Sequence, residues 1–163
     1  AGWKAKAAAK ESYDAAVDSM KRLNRTASEI MQRHGVRSAT DITGFALAGH
    51  AAKLAAASGV TLVIRAKDVP LLEGAYELAE MGCIPGATFR NREFAGPLST
   101  INSTVDYSRG MLMFDAQTSG GILMCAPEAH ADAILKELHD GGIPRAAIIG
   151  HAEKCGGTPI AII

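Results

Sequence analysis

The chain contains the sequence Phe114-Asp115-Ala116-Gln117-Thr118-Ser119-Gly120-Gly121-Ile122-Leu123, in which an acid, small polar residues and two glycines lead into an apolar strand. We call Asp115–Gly121 the small-residue loop. Several N–H groups and hydroxyls of such a loop can point at one anion, and a nearby carboxylate can bind a metal. The pattern therefore predicts part of a phosphate site. A tight turn between two strands is an equally weighted alternative.

Apolar runs flank the small-residue loop on both sides, and we predict buried strands there. Strands or short extended segments are predicted at four other places. The predicted strands are Ser38–Ile42, Thr61–Arg65, Met111–Phe114, Ile122–Cys125, Ala146–Ile149 and Pro159–Ile163. Helices and strands alternate without a clean βαβ repeat. The predicted fold is therefore α+β, a layered domain with a mixed, mostly antiparallel sheet flanked by helices.

Four helices are predicted from apolar spacing and from residues that begin or end helices. The first is a long amphipathic helix whose apolar face comprises Tyr13, Ala16, Val17, Met20, Leu23, Ala27, Ile30 and Met31. The others run from Thr43 to Gly59, from Pro70 to Gly82, and from Pro127 to Gly141. Between Cys83 and Tyr107 the periodicity fades, which indicates a long connection of the kind that is often functional.

The composition limits the possible functions. A chain of 163 residues suits one domain with a buried core. Lys plus Arg equals Asp plus Glu at 17 each, which gives no sign of a nucleic-acid or anionic-membrane partner. The most apolar stretch, Gly44–Ile64, is interrupted by His50, Lys53 and Gly59, well short of the ~20 residues of a membrane helix. We therefore expect a soluble, cytoplasmic protein.

A second unusual segment is Ala39–Phe45, which we call the Asp41 segment. Asp41 ends an extended stretch, and Thr43 and Gly44 follow at a predicted helix start. The unpaired N–H groups of a first helical turn can hold a phosphate while the carboxylate binds Mg²⁺. The simpler and favoured interpretation of this motif alone is helix capping, with Thr43 as the N-cap.

A third segment, Ile84–Asn91, is called the Arg90 segment and places a guanidinium and an amide in the long connection. Arg is a strong partner for phosphate. An Arg90 that merely satisfies loop carbonyls is the favoured alternative when this segment is taken alone.

No other pattern carries chemistry. Cys83, Cys125 and Cys155 lack a CxxC pair, which favours reduced thiols with core or incidental roles. None of the five histidines has Cys, Asp or a second His at metal-ligand spacing. The motifs GxxxxGK[ST], GxSxG and GxGxxG are absent, and no convincing nucleophile is present, so we assign no catalytic residue.

Together the three segments are similar to the C-terminal domain of selenophosphate synthetase, also called selenide, water dikinase, within the aminoimidazole ribonucleotide synthetase-like superfamily. The matching motifs, in the family's order and spacing, are Thr40–Phe45, Gly49-His50, Gly86–Asn91 and Asp115–Gly121. Nearly the whole chain is covered. Three positions depart from the pattern: Ala46 stands where the family usually has Gly, Ala48 where Leu is frequent, and Ala116 where Pro is usual.

The resemblance implies an enzyme that makes selenophosphate, AMP and phosphate from ATP, selenide and water, with Mg²⁺. It implies that Asp41 is a metal ligand. It also implies nucleotide or phosphate contacts by Thr43, Gly44, Arg90, Asn91, Thr118, Ser119, Gly120 and Gly121. Full-length members are similar in being homodimers, with a reactive Cys or Sec, a catalytic Lys and most metal-binding aspartates in an N-terminal region absent from this sequence.

We therefore expect residues 1–163 to be one domain, the C-terminal domain of a larger two-domain ATP-dependent enzyme. The absence of a starting methionine suggests a cut from a longer chain, and the piece alone is expected to be inactive. One alternative is a relative of the aminoimidazole ribonucleotide synthetase class with another acceptor, which the run Gln117-Thr118-Ser119 disfavours. The other is a non-catalytic module that binds anions or supports a dimer.

Overall fold

A computed structural model describes residues 1–163 and confirms an α+β domain with a mixed sheet. The helices are α1 (Lys10–Lys21), α2 (Arg25–Arg33), α3 (Ala46–Ser58), α4 (Ala75–Glu80), α5 (Gly86–Ala95), α6 (Tyr107–Leu112) and α7 (Glu128–Asp140). The strands are β1 (Ser38–Asp41), β2 (Val60–Ile64), β3 (Ser99–Ile101), β4 (Ile122–Cys125), β5 (Gly150–Lys154) and β6 (Ile160–Ile162). Single 3-10 turns cover Ala66–Asp68 and Gly96–Leu98.

The larger sheet has four strands in the order β3-β6-β2-β5. β2 pairs antiparallel with β5 and parallel with β6, and β3 joins β6 in parallel. The small side chains of α3 let this helix approach the sheet closely, and they are completely buried: Ala48, Ala51, Ala52 and Ala55. The alanine-rich helix α3 therefore packs closely on the larger sheet.

The smaller sheet pairs β1 with β4 in antiparallel orientation, and β4 lies between two hydrophobic cores. The larger core contains residues of α3, β2 and β6, and the smaller joins α2 to α7 through Ile30 and Ile134. Side chains alternate along a strand. Leu123 and Cys125 accordingly pack against the larger core, and Ile122 and Met124 against the smaller. β4 thus separates the cores and is apolar on both faces.

The predicted long first helix is wrong, because the chain breaks between α1 and α2 at residues 22–24. Arg22 is extended, with ψ 128°. A straight continuation would not bring Ala27 and Ile30 against α7, where both are buried. Leu23, on the predicted apolar face, is instead 80% exposed. The break leaves the carbonyl of Arg22 free to accept a hydrogen bond from the Ser119 hydroxyl at 2.7 Å.

The region from Pro70 to Tyr107 also differs from the prediction. The predicted third helix begins at Ala75 rather than Pro70, because Gly74 has a left-handed backbone with φ +77°. The predicted long connection contains α5 and β3. The buried residues of α5 are Thr88, Asn91 and Ala95. A helix face made of polar and small residues carries no hydrophobic periodicity, which is why the sequence did not predict it.

Two of the predicted strands are not strands in the structure. Met111 and Leu112 end α6, and Met113 and Phe114 form the turn after it, because a short buried apolar run has no periodicity that separates helix from strand. The last antiparallel strand starts at Gly150 rather than Ala146. A Cβ atom on Gly150 would lie 1.9 Å from the Val63 carbonyl oxygen, so the first residue of this strand has to be a glycine for the two backbones to approach.

No helix is both long enough and apolar enough to cross a membrane. All three cysteines are free thiols. Burial raises the pKa of the half-buried Cys125 thiol, which favours the protonated, unreactive form.

Candidate functional site

The Asp41 segment and the small-residue loop lie side by side at the ends of β1 and β4. The Ile42 amide donates to the Gly121 carbonyl, and the Gly120 amide donates to the Ile42 carbonyl, both at 2.9 Å. The Gln117 amide donates to the Thr43 carbonyl at 3.1 Å. Two predicted segments that are far apart in sequence are therefore joined directly.

Gly120 permits this close approach. A Cβ atom at this position would lie 2.9 Å from both the carbonyl oxygen and the Cγ2 of Ile42. Contacts that short do not occur, so any side chain here would push the two segments apart. The loop connects α6 to β4 and is not a hairpin between strands. The tight-turn alternative is therefore wrong.

The predicted capping role of Thr43 is also wrong. Helix α3 begins at Ala46 with Phe45 in the N-cap position, and no side chain caps it. Thr43 Oγ1 instead lies 3.0 Å from His50 Nε2, so the two side chains share a hydrogen bond. Because the Thr43 carbonyl accepts from Gln117, the whole residue is held between α3 and the small-residue loop.

Asp41 is the last residue of β1, lies opposite Ile122 of β4 and is exposed. Its carboxylate forms neither an ion pair nor a hydrogen bond. No group of three or more His, Cys, Asp or Glu side chains in the chain is placed to hold a metal ion. Mg²⁺ is commonly held by one or two carboxylates together with phosphate oxygens and waters. Asp41 fits one such position, and this donor set alone does not make a complete metal site.

Backbone donors are free on both segments. The amides of Thr43, Gly44, Thr118 and Ser119 donate to no other backbone group. Gly44 and Thr118 are exposed, and Thr43 and Ser119 are partly exposed. The Gly120 amide, by contrast, is already used within the site. N–H groups without a backbone acceptor on two adjoining segments are suitable donors for an anion.

The Arg90 segment forms the start of α5. Arg90 is exposed and forms no hydrogen bond or ion pair, so the alternative in which it satisfies loop carbonyls is wrong. Asn91 is 9% exposed. Its amide nitrogen donates to the Gly44 carbonyl at 2.9 Å and to the Phe114 carbonyl at 3.1 Å. Asn91 therefore connects α5 to the Asp41 segment and to the residue immediately before the small-residue loop.

In the sequence, Asp115 is the acid of the small-residue loop and a candidate carboxylate for binding a metal. Burial raises the pKa of its carboxyl group, while hydrogen bonds from Thr88 and Gln117 act in the opposite direction. Thr88 Oγ1 donates to Asp115 Oδ1 at 2.8 Å, and Gln117 Nε2 lies 3.3 Å from Oδ2. No sequence signal links Thr88 to Asp115, because their contact is purely tertiary.

An aromatic surface borders the site. The rings of Phe45 and Phe94 lie 5.3 Å apart and remain 45% and 46% exposed. Lys53 Nζ lies 4.4 Å from the Phe45 ring centroid and forms no ion pair. The site is thus flanked by a cation held through aromatic contacts.

The fold and the paired segments define a known class of domain. The family model described as AIR synthase related protein, C-terminal domain, matches residues 3–162, and the chain belongs to this family. Within it, the resemblance to selenide, water dikinase is confirmed by curated relatives of that name.

A selenide, water dikinase of Porphyromonas gingivalis (strain ATCC 33277) is 49% identical over 143 residues, which cover 87% of this chain and 40% of the relative. One from Caldanaerobacter subterraneus subsp. tengcongensis is 44% identical, covering 88% of this chain and 42% of the relative. Selenide, water dikinase 2 of Peptoclostridium acidaminophilum is 40% identical, covering 91% and 43%. The chain therefore spans about two fifths of the length of these relatives.

Proposed function

We propose that the chain is the C-terminal domain of a selenide, water dikinase, and that it forms the phosphate-facing wall of that enzyme's ATP site. The proposal rests on one observation. The free Asp41 carboxylate and four free amides lie together where the Asp41 segment and the small-residue loop are bonded to each other. The names and coverage of the relatives support the assignment to this enzyme and to a part of it.

In the proposed site the amides of Thr43, Gly44, Thr118 and Ser119 donate to phosphate oxygens, and the Thr118 hydroxyl adds a further donor. Gly120 and Gly121 contribute by bringing the backbone close to the phosphate. Arg90 supplies the positive charge from α5. These groups bind and orient the nucleotide, which lowers the entropic cost of reaching the reactive geometry.

Asp41 requires a cation. A carboxylate next to a polyphosphate repels it unless a positive ion lies between them. Asp41 would be one of the residues that hold Mg²⁺, and the ion would supply positive charge against the phosphates. With one free carboxylate here, we propose that the remaining metal ligands belong to a further domain.

The complete enzyme, on this proposal, converts ATP, selenide and water into selenophosphate, AMP and phosphate. It acts as a cytoplasmic homodimer, and an N-terminal domain supplies the redox-active Cys or Sec and the catalytic Lys. Residues 1–163 alone should therefore bind nucleotide weakly and form no AMP. Selenide-dependent AMP formation by this chain would contradict the proposed division between domains.

The test is titration of ATP against the wild type and Asp41→Asn, with and without Mg²⁺, by isothermal calorimetry. With Mg²⁺ we expect Asp41→Asn to weaken binding by about tenfold, the effect of losing one charge-assisted contact. Without Mg²⁺ the variant should bind at least as well as the wild type, because a repulsive charge is gone. This reversal distinguishes a metal bridge from a loss of folding.

Asp18→Asn is the matched control, since Asp18 is an exposed carboxylate on α1 that forms no ion pair. It should leave both titrations unchanged. Equal, negligible binding by the wild type and Asp41→Asn would favour the non-catalytic module. Mg²⁺-dependent ATP binding without any role for Asp41 would refute the proposed metal contact.

A further inference from the structure

Helix α5 has a buried face that is unusually polar. Its inward residues are Thr88 at 1% exposure, Asn91 at 9% and Ala95 at 0%. Burying a hydroxyl and an amide costs free energy unless both are hydrogen-bonded. Both are bonded, and every partner lies in the Asp41 segment or at the small-residue loop and Phe114 immediately before it.

Asn91 joins the Asp41 segment to Phe114, the residue immediately before the small-residue loop, through one amide group. One hydrogen goes to the carbonyl of Gly44 and the other to the carbonyl of Phe114, at 2.9 and 3.1 Å. An Asn side chain has only two N–H donors. Both are therefore occupied within the protein, and neither is available for a phosphate.

Asp115 is occupied in the same way. Thr88 donates to one carboxylate oxygen at 2.8 Å, and Gln117 approaches the other at 3.3 Å while also donating to the Asp115 carbonyl at 3.1 Å. The Asp41 carboxylate, by contrast, has no partner. The two acids thus differ in kind, because Asp41 is available to a ligand and Asp115 is used inside the protein.

We propose that Thr88, Asn91 and Asp115 are positioning residues, which tie α5 to both segments and fix the spacing of the free amides without touching the ligand. The identity of the ligand rests on the proposed function, but the positioning role does not. The positioning role concerns three hydrogen bonds between the Asp41 segment and the small-residue loop. The amides of Ile42, Gln117 and Gly120 donate them. These bonds should weaken when α5 releases the loop.

The test compares Thr88→Val, which removes the hydroxyl with little change in shape, with Thr88→Ser, which keeps it. Hydrogen exchange is measured at the amides of Ile42, Gln117 and Gly120. The amide of Leu62, which donates to the Pro159 carbonyl in the large sheet, is the internal reference. We expect about tenfold faster exchange at the three site amides in Thr88→Val, the change produced by losing one buried hydrogen bond. Leu62 should be unaffected, and Thr88→Ser should restore the wild-type rates.

Gln117→Met provides a second variant, because it removes the other donor to Asp115 from a partly exposed position without threatening the fold. It should raise exchange at the same three amides. Unchanged exchange at these amides, or equal acceleration at Leu62, in either variant would overturn the positioning role.

Binding of Mg²⁺-tripolyphosphate gives the functional readout. If the wild type binds it, Thr88→Val should weaken the affinity by about the same tenfold factor as it accelerates exchange, and Thr88→Ser should not. Unweakened binding in Thr88→Val would overturn the proposal. If the wild type binds neither tripolyphosphate nor ATP, the proposed function fails, and hydrogen exchange alone then decides the positioning role.

Discussion

At the scale of single residues, Asp115 is a carboxyl group held in a half-buried place without an ion pair. Burial raises the pKa of this group in the folded protein above its value in the unfolded chain. The folded state therefore binds the proton more tightly. The resulting stabilisation is complete below the unfolded-state pKa and is lost as the pH rises through the raised pKa of the folded state.

We predict that Asp115→Asn changes the pH dependence of stability in a defined direction. The Asn side chain carries no buried charge. The free energy of unfolding of the variant should therefore increase relative to that of the wild type as the pH rises from about 4 to about 7. Urea unfolding at a series of pH values measures the difference. Asp132→Asn, which replaces an exposed acid on α7, should show no such trend. Parallel stability curves for Asp115→Asn and the wild type would contradict the prediction.

The site residues differ in how far the sequence could predict them. Asp41, Thr43 and the small-residue loop stand out, because an acid beside Thr and Gly is unusual within an apolar chain. The contact between Thr88 and Asp115 joins residues whose neighbours give no hint of it. Buried polar pairs of this kind depend on tertiary packing, which local composition does not encode.

At the scale of elements, α3 begins with a strained residue. Ala46 has φ +62°, a left-handed conformation, and is completely buried. Left-handed alanine costs about 1 kcal/mol or more relative to glycine.

We predict that Ala46→Gly is nearly neutral for stability. Relief of about 1 kcal/mol of backbone strain offsets the loss of a buried methyl group, worth about 0.8 kcal/mol. Ala52→Gly, also completely buried but in the regular part of α3, should cost about 2 kcal/mol, because it loses the same methyl group and adds a helix-propensity penalty. Denaturant unfolding of both variants tests this. Equal costs at the two positions would show that the Ala46 backbone is not strained.

Helices with an apolar stripe or clear end signals, such as α7 after Pro127, were predictable. Helix α5 was not, because its inward face is Thr88, Asn91 and Ala95. The break between α1 and α2 was also missed, since the apolar spacing continues across residues 22–24. In both cases the decisive contacts are with distant parts of the chain, and these override local periodicity.

At the scale of the whole molecule, the two cores share β4 and should unfold together. We predict that Ile160→Ala in the larger core and Ile134→Ala in the smaller core each cost about 2 to 5 kcal/mol, as expected for removing a buried isoleucine. Each should lower the midpoint of a single transition, measured by circular dichroism in urea. Leu135→Ala, at a less buried position next to Ile134, should cost less. Two separated transitions in either variant would show that β4 does not couple the cores.

The existence of two cores could not be predicted from the sequence, although the α+β class could. Ile122 to Cys125 form a continuous apolar run, and such a run predicts a buried strand without saying what covers each face. The partners of each face are α2 and α7 on one side and the larger core of α3, β2 and β6 on the other. They come from both ends of the chain.

The two apolar faces of β4 also bear on how the chain finds its fold. In most strands a slip of one residue in the pairing register exposes apolar side chains and buries polar ones, so the misaligned pairing is unstable. In β4 a slip merely exchanges one set of apolar side chains for another, and a misaligned intermediate would remain compact. The tight contact of Gly120 with Ile42 and the hydrogen bonds beside it are then what select the correct alignment. The loop proposed to receive phosphate is therefore also expected to set the register of β4 against β1.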